Sequence, residues 1–584
     1  MSDFSDVISF NKFKENTCTW ELNMDLSKQK NDFLENYLEN YLNFLYGRSL
    51  FLVAKSGNQD LFLTVLLSMK EYRNILKIEE MKFINFDEEL RCFESEKILF
   101  LNLPEDIDLS NKNNAYAILN SLENQYKVQL SNILTEYSRE NLLQNFFSNA
   151  TAISYICAQS YSWEYGDKIK YPVDKNKMNL ISEILSLVNK FEVYDLRIFY
   201  GGDKKSFEYL IHFVLNSQLE FKQNDAFDID IMSIMKITQL LLEIEQKKKS
   251  LNHLYKSGGT ILISDNNLII DNKFQKKVLQ YFEETKDFEI DLYSGEIDEI
   301  YYLFEQKRGY SPFLLEEYLY EYDGKFLETR TIMTFIESEA LVEDIFRKTR
   351  KDKAAIRLML DDLTLKKISN DSIAKETFSN DNRLFRTPLI KIGNYYLVSF
   401  YTLLESSLYF RYRILKNHLK KGLDRNTKNL VKENFDESDL KNLEQLLIDK
   451  KVLGKVNYDL NKNSNCKKLF AKEPSIAQEI DFYYIKDNTL HLMELKNRDI
   501  SRSLHGVVQS ASTAEKHMKN MLKRKQFFLK NKQLFGEIFG AEFNSIQLYL
   551  VNKYPHFLDD SYNQEFQVSI FSFDTFYEYI CKTL

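Results

Sequence analysis

Residues Glu479 to Lys496 read EIDFYYIKDNTLHLMELK, two alternating apolar runs joined by Asp487-Asn488, and no other stretch of the chain restricts its backbone as tightly. Both turn residues belong to the small set that tolerates positive φ, so the segment predicts a β-hairpin with a two-residue turn. That turn length sets the register, placing Asp481 opposite Glu494 and Glu479 opposite Lys496. Side chains alternate across a strand, so these four residues share one end of one face. The other face carries Ile480, Phe482, Tyr484, Met493 and Leu495, an apolar set suited to packing against helices, and His491 falls there as a structural residue.

Two carboxylates opposed on a sheet repel each other, and a divalent cation compensates them. Magnesium takes a few hard oxygen ligands and keeps several waters, which suits Asp481, Glu494 and the backbone carbonyl of Leu495. Such an ion would activate water and offset charge on a phosphoryl transition state, and Lys496 on the same face would orient the water and stabilise developing charge. The alternative, a surface hairpin with ion pairs on its wet side, leaves Asp481 against Glu494 unexplained.

Asp481, twelve intervening residues and Glu494-Leu495-Lys496 resemble the core of the PD-(D/E)XK, or restriction-endonuclease-like, nucleases, over residues 425–584. The resemblance implies a mixed β-sheet flanked by helices and metal-dependent phosphodiester hydrolysis with DNA as the usual substrate. It implies Mg2+ as cofactor, with Mn2+ able to substitute. By position, Asp481 and Glu494 take the metal-ligand roles and Lys496 the catalytic one. Gln509, in LHGVVQSASTAEKHMKNML, matches a glutamine that such nucleases often carry on the next helix. Glu444, in NLEQLLIDKKVLGKVNYDL, is the choice for an acidic ligand on the preceding helix, with Glu433 as its rival. Ile480 stands where the family's naming proline would precede Asp481.

Six prolines and sixteen glycines in 584 residues leave few places to break a helix. The expected fold class is α/β, α+β overall: a helix-rich multidomain N-terminal region, then a restriction-endonuclease-like mixed β-sheet flanked by helices. The length suits several units at about 100 to 200 residues each. They are expected at 1–120 (mixed α/β), 121–274 (helical), 275–424 (a helical, winged-helix-like and hairpin connecting region) and 425–584 (the nuclease domain). In the first, SLFLVAKSG and EKILFLNLPED read as strands around a helix from Gln59 to Tyr72, and Ala54 to Asp60 lacks the glycine and lysine pattern of a phosphate-binding loop. Ala115–Leu143, Lys177–Lys190 and Asp230–Leu251 have helical periodicity, and Lys247-Lys248-Lys249 reads as a solvated helix end. TILISDNNLIID and LFRTPLIKIGNYYLVSF read as hairpins, and EALVEDIFRKTRKDKAAIRLMLDDL as two short helices joined by a basic turn.

A net charge of −8 excludes a protein that coats nucleic acid indiscriminately. Locally the balance reverses: ten lysines and arginines lie between Lys496 and Lys532 against Asp499 and Glu515, and eight between Arg411 and Lys432 against Asp424. The helix Lys516–Lys532 is a candidate phosphate track, with Phe527 and Phe528 assigned to the core. His505 is a further residue that would approach the site, and His491, His505 and His517 make no metal cluster. The five cysteines have no C-x-x-C spacing, which excludes a zinc site and a disulfide framework. MSDFSDVISFNKFKEN lacks a secretory pattern, and no run reaches the about 20 apolar residues of a membrane span, so a cytoplasmic protein with no membrane partner is expected. The favoured function is a Mg2+-dependent DNA endonuclease, similar to restriction and phage-defence proteins, acting as a homodimer or with a partner subunit. An RNA-directed nuclease and a non-catalytic nucleic-acid-binding or assembly subunit are the alternatives.

Overall fold

The computed structural model of the chain describes, with short interruptions, residues 41–57, 84–164, 196–285, 295–320, 334–369, 382–498, 504–558 and 566–584, and every structural observation refers to these. The expected helices at Gln59–Tyr72 and Lys177–Lys190 lie outside the described residues. None of the described helices is long and apolar enough to cross a membrane.

The N-terminal region is helical where it is described. Helices α1 (Phe86–Phe100), α2 (Lys112–Leu134), α3 (Arg139–Glu164), α4 (Leu196–Asn216) and α5 (Ile231–Lys256) pack together, with α5 against α1, α2 and α4. The two strands expected near the N-terminus are helices instead: residues 47–55 are helical, and Glu96 to Phe100 end α1. Burial spacing gives the reason. Helix α1 buries Phe86, Leu90, Glu94 and Ile98 at four-residue intervals and leaves Leu99 and Phe100 58% and 73% exposed, so the run ILFL was one helix face and part of the next. The lysine run at Lys247 is likewise not a solvated end. Lys247 is buried against Glu94 and Glu243, Lys248 pairs with Glu123 on α2, and Lys249 pairs with Glu245. The pairs to Glu94 and Glu123 hold α5 against α1 and α2, and the other two lie within α5.

A hairpin of β1 (Ile261–Ser264) and β2 (Asn267–Ile270) follows, turning at Asn266 with φ 56°, and then α6 (Asn272–Glu284), α7 (Gly295–Arg308) and α8 (Leu314–Tyr320). Strand β3 (Thr334–Glu337), α9 (Ser338–Thr349), α10 (Lys353–Asp362), β4 (Ile390–Ile392) and β5 (Tyr395–Val398) form a small unit with an antiparallel sheet in the order β3-β5-β4. Its hairpin turns at Gly393, whose φ of 58° suits glycine. Helix α11 (Phe400–Leu415) leads out of it. One contiguous apolar core runs from Tyr41 to Phe435, so the three upstream units share it.

The C-terminal part contains α12 (Arg425–Val431), a π-helical turn (Lys432–Asp436), α13 (Leu440–Lys450), β6 (Gly454–Asp459), α14 (Ser464–Phe470), β7 (Glu479–Lys486), β8 (Thr489–Lys496), α15 (Leu504–Lys530), α16 (Lys532–Phe539), β9 (Ser545–Asn552), β10 (Val568–Ser572) and α17 (Phe573–Thr583). The five strands make one mixed sheet in the order β10-β9-β8-β7-β6. Strands β6, β7 and β8 are antiparallel, while β9 and β10 run parallel to β8. The expected hairpin forms in the expected register, from Phe482 paired with Met493 to Lys486 paired with Thr489, and Asp487 and Asn488 take φ of 48° and 57°. Both faces of the sheet are covered. Phe528, Phe535, Phe539, Met518 and Met521 bury one side with Tyr483 and Leu492. Leu443, Leu447, Phe576 and Ile580 bury the other with Phe482, Met493 and Leu495. Each such side chain contributes about 1.5–3 kcal/mol. Ile480 departs from expectation: it joins the first core, whereas Phe482 and Tyr484 belong to the second, so β7 rotates at Asp481.

Candidate active site

The hairpin's ladder stops at Phe482 and Met493, one position short of Asp481 and Glu494. Asp481 replaces the missing strand contact with its side chain, accepting a 2.7 Å hydrogen bond from the Leu495 N–H. On its other side, the pairing of β6 with β7 skips Asn457, which has a φ of 46° in mid-strand. Asp481 therefore sits where the sheet opens on both edges, the kind of local break that re-aims side chains at functional sites.

Lys496 bridges the two acids: its Nζ lies 3.1 Å from Glu494 Oε1 and 3.9 Å from Asp481 Oδ2. Helix α15 lies over this face and supplies two further partners to Glu494, Arg524 Nη2 at 3.3 Å and His517 Nδ1 at 3.6 Å. These residues are seven apart, so they lie on one helix face. Arg524 is almost fully buried, its side chain 5% exposed.

The two carboxyls are driven in opposite directions. Burial works against the charge on Glu494, but the hydrogen bond to His517 and the charges of Lys496 and Arg524 outweigh it, holding its carboxyl far below the usual range. Asp481 is shifted up by burial and by the negative charge of Glu494, with Lys496, the Leu495 N–H and Arg524 opposing. Asp481 is thus a buried acid without a strong counter-charge. That under-compensation, next to a second carboxylate, fits a divalent cation. Among the described residues no group of three or more His, Cys, Asp or Glu is placed to hold a metal ion.

The upstream acid nearest in effect is neither residue expected for it. Glu444 is exposed on α13, whose buried face is Leu440, Leu443, Leu446 and Leu447, and Glu433 is exposed on the π-helical turn. Glu437, just after that turn, is instead pushed up to about 7, by burial first, with Asp481 and Glu479 adding to the shift and Lys432 opposing it. Lys432 ties it to the hairpin, 3.3 Å from Glu437 and 2.7 Å from Glu479. π-helical insertions of this kind recur at functional sites.

Gln509 lies on α15 but is exposed, and among the described residues its side chain bonds to none of Asp481, Glu494 or Lys496. The His505 side chain lies outside the described residues. His491 is structural, stacked on Tyr484 at 4.1 Å with Nδ1 2.8 Å from the Tyr549 hydroxyl, and burial pulls its pKa down to about 4. Phe527 and Phe528 are core residues. Of the basic clusters, α15 leaves Lys516, Lys519, Lys523 and Lys530 exposed. The other is largely structural: Arg411 and Arg413 are buried, and Arg413 holds the carbonyls of Arg386 and Asp362.

One residue had no signal in the sequence. Asn552 pairs with Lys496 across the parallel β8 and β9 strands, and it is 1% exposed. Both ends of its amide are buried without a hydrogen-bond partner among the described residues. Leu548 and Leu550, of the same strand parity, face the core under α15, so Asn552 belongs to the face that carries Glu494. A buried amide left unpaired is costly and calls for an explanation. Comparison of the chain with protein-family models, with curated proteins and with solved structures finds no match.

Proposed function

We propose that this chain is a divalent-metal-dependent endonuclease that hydrolyses phosphodiester bonds in DNA, with the hairpin site as its active centre. The observation that carries the reading is the convergence of Asp481 and Glu494, from adjacent strands that part at that point, on the Nζ of Lys496. The order helix α13, antiparallel β6-β7-β8, helix α15, parallel β9 supports a restriction-endonuclease-like fold for this part of the chain.

Asp481 and Glu494, with the Leu495 carbonyl, are the groups that would hold Mg2+, or Mn2+ in its place. When bound, the ion supplies Lewis-acid polarisation and charge neutralisation at the scissile phosphate. The chain's own residues do the rest. Lys496 carries a positive charge beside both acids, from which its Nζ can hold or pass a proton and offset the charge of the transition state. His517 and Arg524 keep Glu494 ionised and fix its carboxylate. The exposed lysines of α15 line up beside the site as a phosphate track.

The test is incubation of the protein with plasmid DNA, linear DNA and RNA in Mg2+, Mn2+ or EDTA. Cleavage of DNA that needs the metal, and that falls roughly 10²- to 10³-fold in Asp481→Asn and Glu494→Gln, is the expected result. One observation favours a second reading, a non-catalytic nucleic-acid-binding subunit: Glu494 is already neutralised by Lys496, His517 and Arg524 without a metal. Nucleic-acid binding with no cleavage in any metal, and no change in thermal stability on adding Mg2+, would favour it.

A further inference from the structure

We infer that α9, α10 and the turn between them form a docking surface for double-stranded DNA, with α10 entering the major groove. The identity of the partner rests on the nuclease reading, and the surface itself rests on topology, exposure and charge.

The chain order is α8, β3, α9, α10, β4, β5, and the sheet order is β3-β5-β4. This is the arrangement of a winged helix-turn-helix, in which three helices pack against a three-stranded sheet and the third helix is presented outward. Helix α8 packs against both α9 and α10. The link between α9 and α10 is three residues long and begins at Arg350, with φ 56°, as a helix-turn-helix requires. Leu341, Val342 and Ile345 of α9 and Ala355, Ile356, Met359 and Leu360 of α10 spend their apolar faces on the core. The opposite face of α10 remains open: Ala354 is exposed, and the Lys353 and Arg357 side chains are 41% and 50% exposed. The first turns of a recognition helix are where base edges are met, and a small residue such as Ala354 permits a close approach.

Charge is concentrated at the turn. Arg347, Lys348, Arg350, Lys351 and Lys353 lie within seven positions against one acid, Asp352, which is occupied in capping α10 through the N–H groups of Ala354 and Ala355. Among the described residues Arg347 and Arg350 pair with no acid. Lys351 faces Glu317 at 3.7 Å, Lys353 pairs with Glu343, and Arg357 pairs with Glu339 at 2.6 Å. Exposed pairs of this kind are worth only about 0–1 kcal/mol, so phosphates can replace the acids at little cost. The β4-β5 turn adds little reach. Ser338 donates through both its N–H and its hydroxyl to the Asn394 carbonyl, holding the turn against α9 and leaving the groove contact to α10.

The unit is also tied to the candidate active site. Arg413 on α11 donates to the carbonyl of Asp362, the last residue of α10. One turn later Lys416 donates to Asn497, the residue after Lys496, at 3.0 Å. The far end of α10 and the end of β8 at Lys496 therefore hang on the C-terminal end of α11 and its capping residue Lys416. A helix fits the major groove of B-form DNA but not the deep, narrow groove of A-form RNA, which selects duplex DNA as the occupant.

The experiment is fluorescence anisotropy with the full chain in EDTA, so that no cleavage occurs. The probes are a labelled DNA duplex, one of its single strands and an RNA duplex, each over a series of salt concentrations. Wild type is expected to prefer the DNA duplex. Combined Arg347→Glu, Arg350→Glu and Lys351→Glu should weaken duplex binding at least about tenfold and make the log–log salt slope shallower by about 0.9 for each phosphate no longer neutralised. Arg350→Gly keeps the backbone conformation, since glycine favours positive φ, and should weaken binding in the same direction with thermal stability unchanged. Folded variants that bind the DNA duplex as wild type does, or equal affinity of wild type for the RNA duplex, would overturn the docking surface. Duplex binding by wild type in EDTA, with no cleavage of that duplex once Mg2+ is supplied, would instead count against the nuclease reading alone.

Discussion

Asp481 and Glu494 share one lysine and differ in almost everything else that sets their charge. Glu494 has three cationic or hydrogen-bonding partners and stays ionised, whereas Asp481 has a backbone N–H and a distant Nζ. Environments that push paired acids apart are a mark of working sites. Glu437 offers a check through stability. Its carboxyl is pushed up to about 7 from an ordinary 4.5, so the folded state holds the proton more tightly than the unfolded state does between those values. The penalty is absent below the ordinary value, grows as pH rises through the window and is complete above about 7. Glu437→Gln is therefore expected to leave the denaturation midpoint unchanged near pH 4 and raise it at pH 8 in EDTA; a raised midpoint at both values would assign the burial cost to packing instead. Asn552 offers a second check. Removing a buried amide with no partner costs little or even stabilises. Asn552→Ala should thus keep or raise thermal stability while lowering the cleavage rate about tenfold or more. A fall in stability with normal cleavage would make Asn552 a structural residue.

The elements show where sequence patterns carry far and where they fail. The hairpin was legible from its turn out to Phe482 and Met493, because Asp487 and Asn488 suit a two-residue turn and that turn sets the register; the break at Asp481 was not. The β1-β2 and β4-β5 hairpins were legible for the same reason. The strands read into residues 49–57 and 96–106 were not, since a short apolar run looks alike in a strand and along one side of a helix. Within the site, Asp481, Glu494 and Lys496 could be brought together from sequence because they lie on one hairpin. Arg524, His517 and Asn552 could not, because α15 and β9 reach the site only through the tertiary packing of the sheet. Gly454 shows how tightly that sheet is set. A Cβ there would run into the Tyr483 carbonyl and come within 2.9 Å of Leu447 Cδ1 and 3.0 Å of Tyr484 Cα. Gly454→Ala should cost about 1–3 kcal/mol, read as a lower denaturant midpoint with an unchanged slope; an unshifted midpoint would mean that β6 can move away from β7.

At the scale of the whole molecule, a helix-rich body is fastened to the sheet domain rather than strung from it. Val507 of α15 belongs to the large core that begins at Tyr41, and His253 of α5 meets Ser512 on α15. The helix that covers the site is thus also a wall of the body, and α11 joins the site to the basic helix-turn-helix. On the proposed reading, this layout would let one chain hold duplex DNA and cut it. The most direct measurement compares wild type and Lys496→Met in single-turnover cleavage of a DNA duplex in Mg2+, after each is shown to bind that duplex. Equal binding, with the Lys496→Met rate lower by roughly 10²-fold or more, is the expected result. Equal cleavage rates in the two proteins, or duplex binding by wild type with no cleavage in either Mg2+ or Mn2+, would contradict a catalytic site at Asp481, Glu494 and Lys496.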